Sequence, residues 1–396
     1  MRLLHTADWH LGRSLEGRSR QSEQEAVLAE IISIANDEKV DAVIMAGDVY
    51  DSVNPPAASE ILFYETMKQL SHGGKRPVVV ISGNHDSPER VEAASPLALT
   101  HGITLVGRPS QGPLTIAIPS CHQELVISAV PYPSESRLNE CLSEMNEEAY
   151  IRSAYDERLS VLFHSHAQAF KKEAVNVVMS HLFIAGGRES DSERPIQIGG
   201  AYTVSPSSLD VGADYVALGH LHRPQSLAFG QTPGRYSGSP LAYSFSEANQ
   251  PKSVTLIDCE PGQPADIREI YLKSGKPLVR WSAKQGLEEV YQWIEAGRDK
   301  QAWVDLEITL KDALAIRDIQ NLRKAHEGLI HIRPIYLEAE NDELFTRLSE
   351  LPLQDIFGRF YRQQTGGADP DQALVELFLE MAKETEEESG GVYATD

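Results

Sequence analysis

Three short apolar runs near the start of this chain each end in a polar turn, and that repetition constrains the fold more than any other feature. Leu3–Thr6 runs into Ala7-Asp8-Trp9-His10-Leu11-Gly12. Asp41–Ala46 runs into Gly47-Asp48-Val49-Tyr50-Asp51, and Pro77–Ile81 into Gly83-Asn84-His85-Asp86. The runs are short and apolar, as strands buried on both faces of a parallel sheet are. Between them, Val27, Leu28, Ile31, Ile34 and Ala35, and then Ile61, Leu62, Met67 and Leu70, recur at helical spacing. Ser22 and Glu25 read as a capping box for the first of these helices. The pattern is β-α-β-α-β with right-handed crossovers. Sheets of this kind bind ligands at the carboxyl ends of their strands, where the polar turns lie. Gly83 permits a tight exit from its strand, and Ser87-Pro88 reads as an N-cap followed by proline at the first helical position.

The pattern continues downstream. Residues 87–101 read as a helix and its exit, with Val91, Leu97 and Leu99 as packing residues, and 108–124 as loops around a short strand. Leu125–Val130 reads as a strand, 138–158 as a polar, helix-prone region, and Val175–His181 as a strand ending in His181. Asp214–Leu218 delivers Gly219-His220-Leu221-His222. Val254–Ile257 and Ile267–Tyr271 read as strands of a second sheet. His164 and His166 precede a helix-like segment and read as ordinary histidines. The loop Gly186–Asp191 fits either a rim near substrate or plain surface. The fold class is α/β, a two-sheet core flanked by helices.

Asp8, His10, Asp48, Asn84, His181, His220 and His222 form a candidate ligand set of carboxylate, imidazole and amide. Asp8 and His10 are two apart, so in extended backbone they share a face. Such N/O donors suit Mn, Fe or Zn. Two ions sharing Asp48 would activate a water and neutralise a phosphoryl group. His85 is then left to stabilise or protonate the leaving oxygen, and Asp86 either orients it or caps the next helix. No Walker A or GxGxxG string follows these strands, so a nucleotide cradle lacks support. Cys121, Cys141 and Cys259 are scattered, with no CxxC, and read as reduced thiols. The N-terminus has no apolar signal region and no stretch reaches membrane-spanning length, so a cytoplasmic protein is expected. Formal net charge is -22, which argues against tight, unaided binding of nucleic acid. Bound metals and a partner can supply the missing positive charge.

These motifs together resemble the calcineurin-like metallophosphoesterases, and within them the bacterial SbcD nuclease family. The opening Arg2–Gly12 and Tyr236-Ser237-Gly238-Ser239-Pro240 are also similar to that family. The resemblance covers residues 1–272 and extends in layout to the rest. It implies that Asp8, His10 and His222 hold one ion and Asn84, His181 and His220 the other, with Asp48 bridging and His85 catalytic; Asp86 stands beside His85 as a second catalytic candidate. It implies two Mn²⁺ ions and a 3′-to-5′ exonuclease on double-stranded DNA that is also an endonuclease on single strands and hairpins. A homodimer is implied, working with SbcC, an ABC-type ATPase with coiled-coil arms, in DNA end processing and repair. Phosphoprotein phosphatases share much of the pattern but carry arginines beside the second and third motifs. Here Asp51-Ser52 and Asp86-Ser87 stand instead, which favours a phosphodiester. The alternatives are a phosphomonoesterase or cyclic-nucleotide phosphodiesterase of the same superfamily, and a non-catalytic scaffold for an ATPase.

Lys273–Pro277 reads as a linker. Leu287, Val290 and Ile294 mark a helix, and 304–309 a half-buried strand. A second helix covers 315–326, and 331–337 reads as another strand. This small α/β module, 278–340, corresponds to the family's capping domain, after a nuclease domain at 1–272. Leu353, Ile356, Phe357 and Phe360 form one apolar stripe and Leu374, Leu377, Phe378 and Met381 another, separated by Gly366-Gly367. This helical hairpin, 345–388, is where the resemblance places binding of the ATPase. Glu384 and Glu386–Glu388 read as a solvated acidic tail.

Overall fold

The structure is a computed structural model describing residues 1–109, 112–138, 148–193, 202–336, 352–365 and 370–379. It divides into two compact units, Met1–Ile308 with Ala315–Arg333, and Thr309–Leu314 with Pro334–Asp396.

The first unit is built on two six-stranded sheets. One runs in the order Asp266–Tyr271, Ser253–Asp258, Arg2–Thr6, Ala42–Ala46, Val78–Ile81, Ile103–Val106. Its last four strands are parallel, and its first two join antiparallel. The 254–257 and 267–271 segments therefore extend the first sheet, with Ser253–Asp258 beside the N-terminal strand, and do not belong to the second. The other sheet runs Gln225–Phe229, Thr232–Tyr236, Tyr215–Gly219, Val175–His181, Gln123–Val130, Leu114–Ile118. It is parallel in the middle and antiparallel at both edges.

Ile44, Val79 and Ile81 from the first sheet pack against Ile127, Val177 and Ala217 from the second. Burying each such side chain contributes about 1.5–3 kcal/mol. On the outer face of the first sheet, the helices Gln21–Asp37 and Ala57–Leu70 place Val27, Ile31, Phe63 and Met67 over Val43 and Val78. The helix Glu148–Ala167 covers the second sheet with Tyr155, Leu159 and Phe163. Central strands buried on both faces explain the unbroken apolar runs.

Local signals fared unevenly. Ser87 caps its helix, accepting from the Arg90 N–H, with Pro88 in the first turn. The helix Gln21–Asp37 starts two residues earlier than a Ser22 cap would require. Its cap position is Arg20, and no side chain caps it. Leu97 and Leu99 are exposed, not packed. The segment 161–164 lies within a helix; His164 is exposed there, and His166 meets the Ser128 hydroxyl at 3.0 Å. Among the described cysteines, Cys121 and Cys259 are free thiols.

The module after Pro277 is a three-stranded sheet, Leu278–Ala283, Trp303–Leu310, Leu329–Tyr336, with helices Leu287–Glu295 and Ile316–Ala325. Its first strand carried no clear periodicity in the sequence. Glu23 joins the module to the core helix, accepting from the Trp303 indole and the Lys276 N–H, both at 2.9 Å, while Arg20 donates to the same carboxylate.

In the second unit, the helix Leu353–Thr365 and a helix over 372–379 are described. Phe357 and Phe378 stack with ring centroids 4.2 Å apart. Leu353 and Leu377 are exposed, and Ile356 and Leu374 are half-buried. Met381, the Phe360 side chain, Gly366-Gly367 and the acidic tail lie outside the described residues.

Candidate metal centre

The parallel strands of both sheets deliver their carboxyl ends to one crevice. The turns there are laced together: Asp8 N–H donates to Gly47 O and His10 N–H to Asp48 O, both at 3.0 Å. Asp8, His10, Asp48 and His220 all have positive φ, at 54°, 45°, 50° and 108°. Non-glycine residues in that region cost about 1–3 kcal/mol each and cluster where function requires them. Gly83 lies so close to Asp48 that a Cβ there would sit 2.0 Å from its carboxylate oxygen, and a Cβ at Gly219 would sit 1.8 Å from Ala46 O. Gly83 therefore serves close approach of neighbouring turns of the first sheet, and Gly219 close approach of backbone between the two sheets.

All seven candidate ligands meet here. Asp8, His10 and His222 offer atoms within 4.8 Å of one another, and so do Asp8, Asp48 and His181. The His10 and His222 Nε2 atoms face each other at 3.0 Å. Asn84 Oδ1 is 2.9 Å from His181 Nε2, and the His220 ring stands edge-on to His181. Asp8 Oδ2, Asn84 Nδ2 and His220 Nε2 are buried with no hydrogen-bond partner. Each such atom costs about 1–3 kcal/mol unless something fills the gap. Orphaned carboxylate and imidazole donors around one point are what divalent cations would satisfy, so the residues fit a metal centre.

The electrostatics are those of a buried cluster without its counter-charge. Burial raises the Asp8 carboxyl to about 7, against the pull of His181 and His222. Burial also works to raise Asp48, but the His181 imidazole overrides it and holds this carboxyl well below the usual range. His181 is raised to about 9, because Asp48 outweighs the opposing effect of burial. Burial lowers His10 to about 3 and also holds His220 well below the usual imidazole range.

His85 stands beside the cluster, its ring edge-on to His10. Its Nδ1 lies 2.8 Å from Asp51 O, placed to donate. The Asp86 carboxylate neither meets the His85 ring nor caps the helix, the task Ser87 performs. Its carboxylate accepts from the Gly83, Val49 and Tyr50 N–H groups at 2.8, 3.1 and 2.9 Å, pinning two strand-end turns together. Arg137 braces the same turn from the far side, donating to Gly83 O at 2.8 Å and Asp86 O at 2.7 Å.

Several residues around the site had no role assigned from the sequence. Asp51, in the second motif, faces His10 Nδ1 at 3.4 Å. Arg13, Ser14, Ser192 and Glu193 line, with Asp51 and His85, a cavity of about 380 Å³. Glu247 and Lys252 form a buried ion pair behind His222, and Lys252 donates to His222 O at 2.9 Å. Of the Gly186–Asp191 loop, Asp191 continues directly into the cavity wall and lines the neighbouring cleft.

A calcineurin-like phosphoesterase family profile matches residues 1–224. The chain is 53% identical over 388 residues to the SbcD component of the SbcCD nuclease of Bacillus subtilis, spanning 98% of this chain and 99% of that one. The chain belongs to the SbcD nuclease family. The Rhodobacter capsulatus SbcD is 35% identical, with 72% of each chain covered. The Escherichia coli K12 SbcD is 27% identical, with 96% and 97% covered. Residues 274–365 match the SbcD_C profile, described as the type 5 capsule protein repressor C-terminal domain. Among the described residues, no helix is long and apolar enough to cross a membrane.

Proposed function

We propose that this chain is a DNA nuclease that hydrolyses phosphodiesters with two divalent ions, and that it acts with an SbcC-type ATPase in processing DNA ends. The carrying observation is the convergence of Asp8, Asp48, His181 and His222, with buried donor atoms left unpartnered, at the ends of parallel strands. We assign Asp8, His10 and His222 to one ion, Asn84, His181 and His220 to the other, and Asp48 to both, with Mn²⁺ as the metal. When bound, the ions supply Lewis-acid stabilisation of the phosphoryl charge and a water activated for attack.

The chain's own groups do the rest. His85, held through Nδ1 by Asp51 O, keeps Nε2 to deliver a proton to the leaving oxygen. Asp86 is a positioning residue: it ties the turn carrying Asn84 and His85 to the turn carrying Asp48. Substrate polarity comes from a basic cleft of about 680 Å³ that shares Arg13 and Ser192 with the His85 cavity. Arg280, Arg323, His331 and Arg333 also line it. Four arginines, Arg13, Arg280, Arg323 and Arg333, face three carboxylates, Glu16, Asp191 and Asp305, along this cleft, so it carries a slight positive excess in an acidic chain. That suits a phosphate backbone. Cleavage as a 3′-to-5′ exonuclease on duplex ends and an endonuclease on hairpins and single strands belongs to this reading. So do a cytoplasmic location and the organisation 1–272 nuclease, 278–340 capping and 345–388 ATPase-binding. The homodimer belongs to it too, and exposed Leu97, Leu99 and Ile61 offer apolar surface for it.

Hairpin DNA incubated with the purified chain and Mn²⁺, with and without the ATPase, tests this. We expect cutting that falls about 10²–10⁴-fold in His85→Ala while Mn²⁺ still binds. Hydrolysis of small phosphomonoesters with intact DNA would establish the phosphatase alternative. An inert chain that still bound the ATPase would establish the scaffold.

A further inference from the structure

The segment Ser190–Glu193 contacts His222 twice. The His222 N–H donates to Glu193 Oε1 at 2.7 Å, and the ring Nδ1 lies 2.6 Å from Ser192 Oγ. The Ser192 and Ser190 hydroxyls are 2.8 Å apart, and Ser190 Oγ donates to Glu193 Oε2 at 2.6 Å. These contacts form a closed relay with only one consistent direction. A carboxylate offers acceptors alone, so the Ser190 proton is committed to Glu193. Ser190 Oγ must then accept from Ser192, and Ser192 Oγ must accept from His222. His222 is thereby fixed as the Nδ1–H tautomer. Its Nε2 lone pair is left facing His10 Nε2, 3.0 Å away.

We propose that Ser190, Ser192 and Glu193 form a strap that sets the tautomer and ring orientation of His222, making them positioning residues for one of the two ions. The inference rests on the metal assignment above. The strap is anchored independently of the ligand. Arg13 donates to Ser192 O at 2.9 Å, and the Asp191 N–H donates to Ser246 Oγ at 3.1 Å. The other acceptor near the His222 ring is Glu247 Oε1, at 3.7 Å and already engaged by the Tyr243 N–H. Ser192 therefore holds the ring nitrogen. Because Ser192 and Glu193 also line the cavity beside His85, the wall that meets substrate and the group that aims the ligand are one segment.

The test is Mn²⁺ titration of the chelator-stripped full chain, reading free Mn²⁺ by its electron paramagnetic resonance signal. Imidazole ¹⁵N shifts of the metal-free protein report the tautomer. Wild type should bind two ions per chain. Ser192→Ala should weaken one of them about 10–100-fold, the usual cost of losing a partner behind a ligand, and remove the Nδ1–H signature of His222. Ser192→Thr should restore both. Glu193→Gln, nearly isosteric, should weaken the same ion, because an amide cannot accept at both of its ends. Two ions of unchanged affinity in Ser192→Ala and Glu193→Gln would overturn the strap and leave the metal reading standing. So would equal loss of both ions with an unchanged His222 tautomer, which marks a merely structural role. A wild-type chain that bound no ions would overturn the metal assignment itself.

Discussion

Two buried carboxylates in the first unit live in opposite circumstances. Asp305 is 3% exposed, and both its oxygens accept from Arg333, at 3.0 and 2.7 Å. Asp8 is 0% exposed; one oxygen accepts from the His220 N–H at 2.9 Å and the other has no partner. Burial leaves its carboxyl raised to about 7. The first is a finished piece of architecture whose charge is answered within the chain. The second is a charge the fold desolvates and leaves unanswered, on a backbone held at φ 54°. Burial alone does not separate the two. The unmet lone pair and the left-handed backbone do, and they identify the site that requires something from outside.

That contrast can be broken by experiment. The largest effect is expected from Asp48→Asn. DNA cutting should fall by at least about 10²–10³-fold, the range for removing one electrostatic contributor, measured as single-turnover cleavage with Mn²⁺ saturating. Unchanged cutting would remove Asp48 from the centre. Next is the joint between core and module. Glu23→Ala leaves the Arg20 guanidinium buried without its partner and should cost about 3–5 kcal/mol in chemical denaturation. The same pair gives a pH effect of defined sign. Burial works to raise the Glu23 carboxyl, but Arg20 overrides it, so its value lies below the ordinary 4.5. Its stabilising contribution is complete above 4.5 and is lost as pH falls through the depressed folded value. Glu23→Gln should flatten the stability profile in that acid window.

Smaller effects sharpen the contrast. Free Mn²⁺ at about 100 times its Kd should stabilise the chelator-stripped chain by about 2.7 kcal/mol for each ion bound. The same metal should add nothing beyond wild type in Asp305→Asn. That substitution should itself cost only about 1–2 kcal/mol, because its arginine partners are more than half exposed. Least of all, Arg280→Gln with Arg333→Gln should leave hydrolysis of a small phosphodiester intact. It should lower the salt dependence of DNA binding by about one unit of slope per lost phosphate contact.

The seven candidate ligands were legible as a group because they sit at or just beyond the ends of apolar runs, so local pattern placed both strand and turn. Long-range pairing was not legible. Ser253–Asp258 reads as a strand from its own residues, but only the structure shows that it lies against Arg2–Thr6, far off in sequence. Asp86 was ambiguous because its partners are the Val49 and Tyr50 N–H groups of another turn. Ser192 and Glu193 follow a polar loop without periodicity, and nothing in it points to His222. Leu97 and Leu99 show the converse failure, since apolar identity does not say which side of a short helix faces inward.

The strand Ser253–Asp258, paired on both sides, also sets an order in time. The first candidate ligand is residue 8 and the last residue 222, and the strand leading to Asp8 gains its antiparallel neighbour only from residues 253–258. Contacts spanning so much chain close late. A growing polypeptide on the ribosome thus holds Asp8, Asp48 and His85 long before His220 and His222 are made. A translation product that ends before residue 220 lacks two of the seven candidate groups.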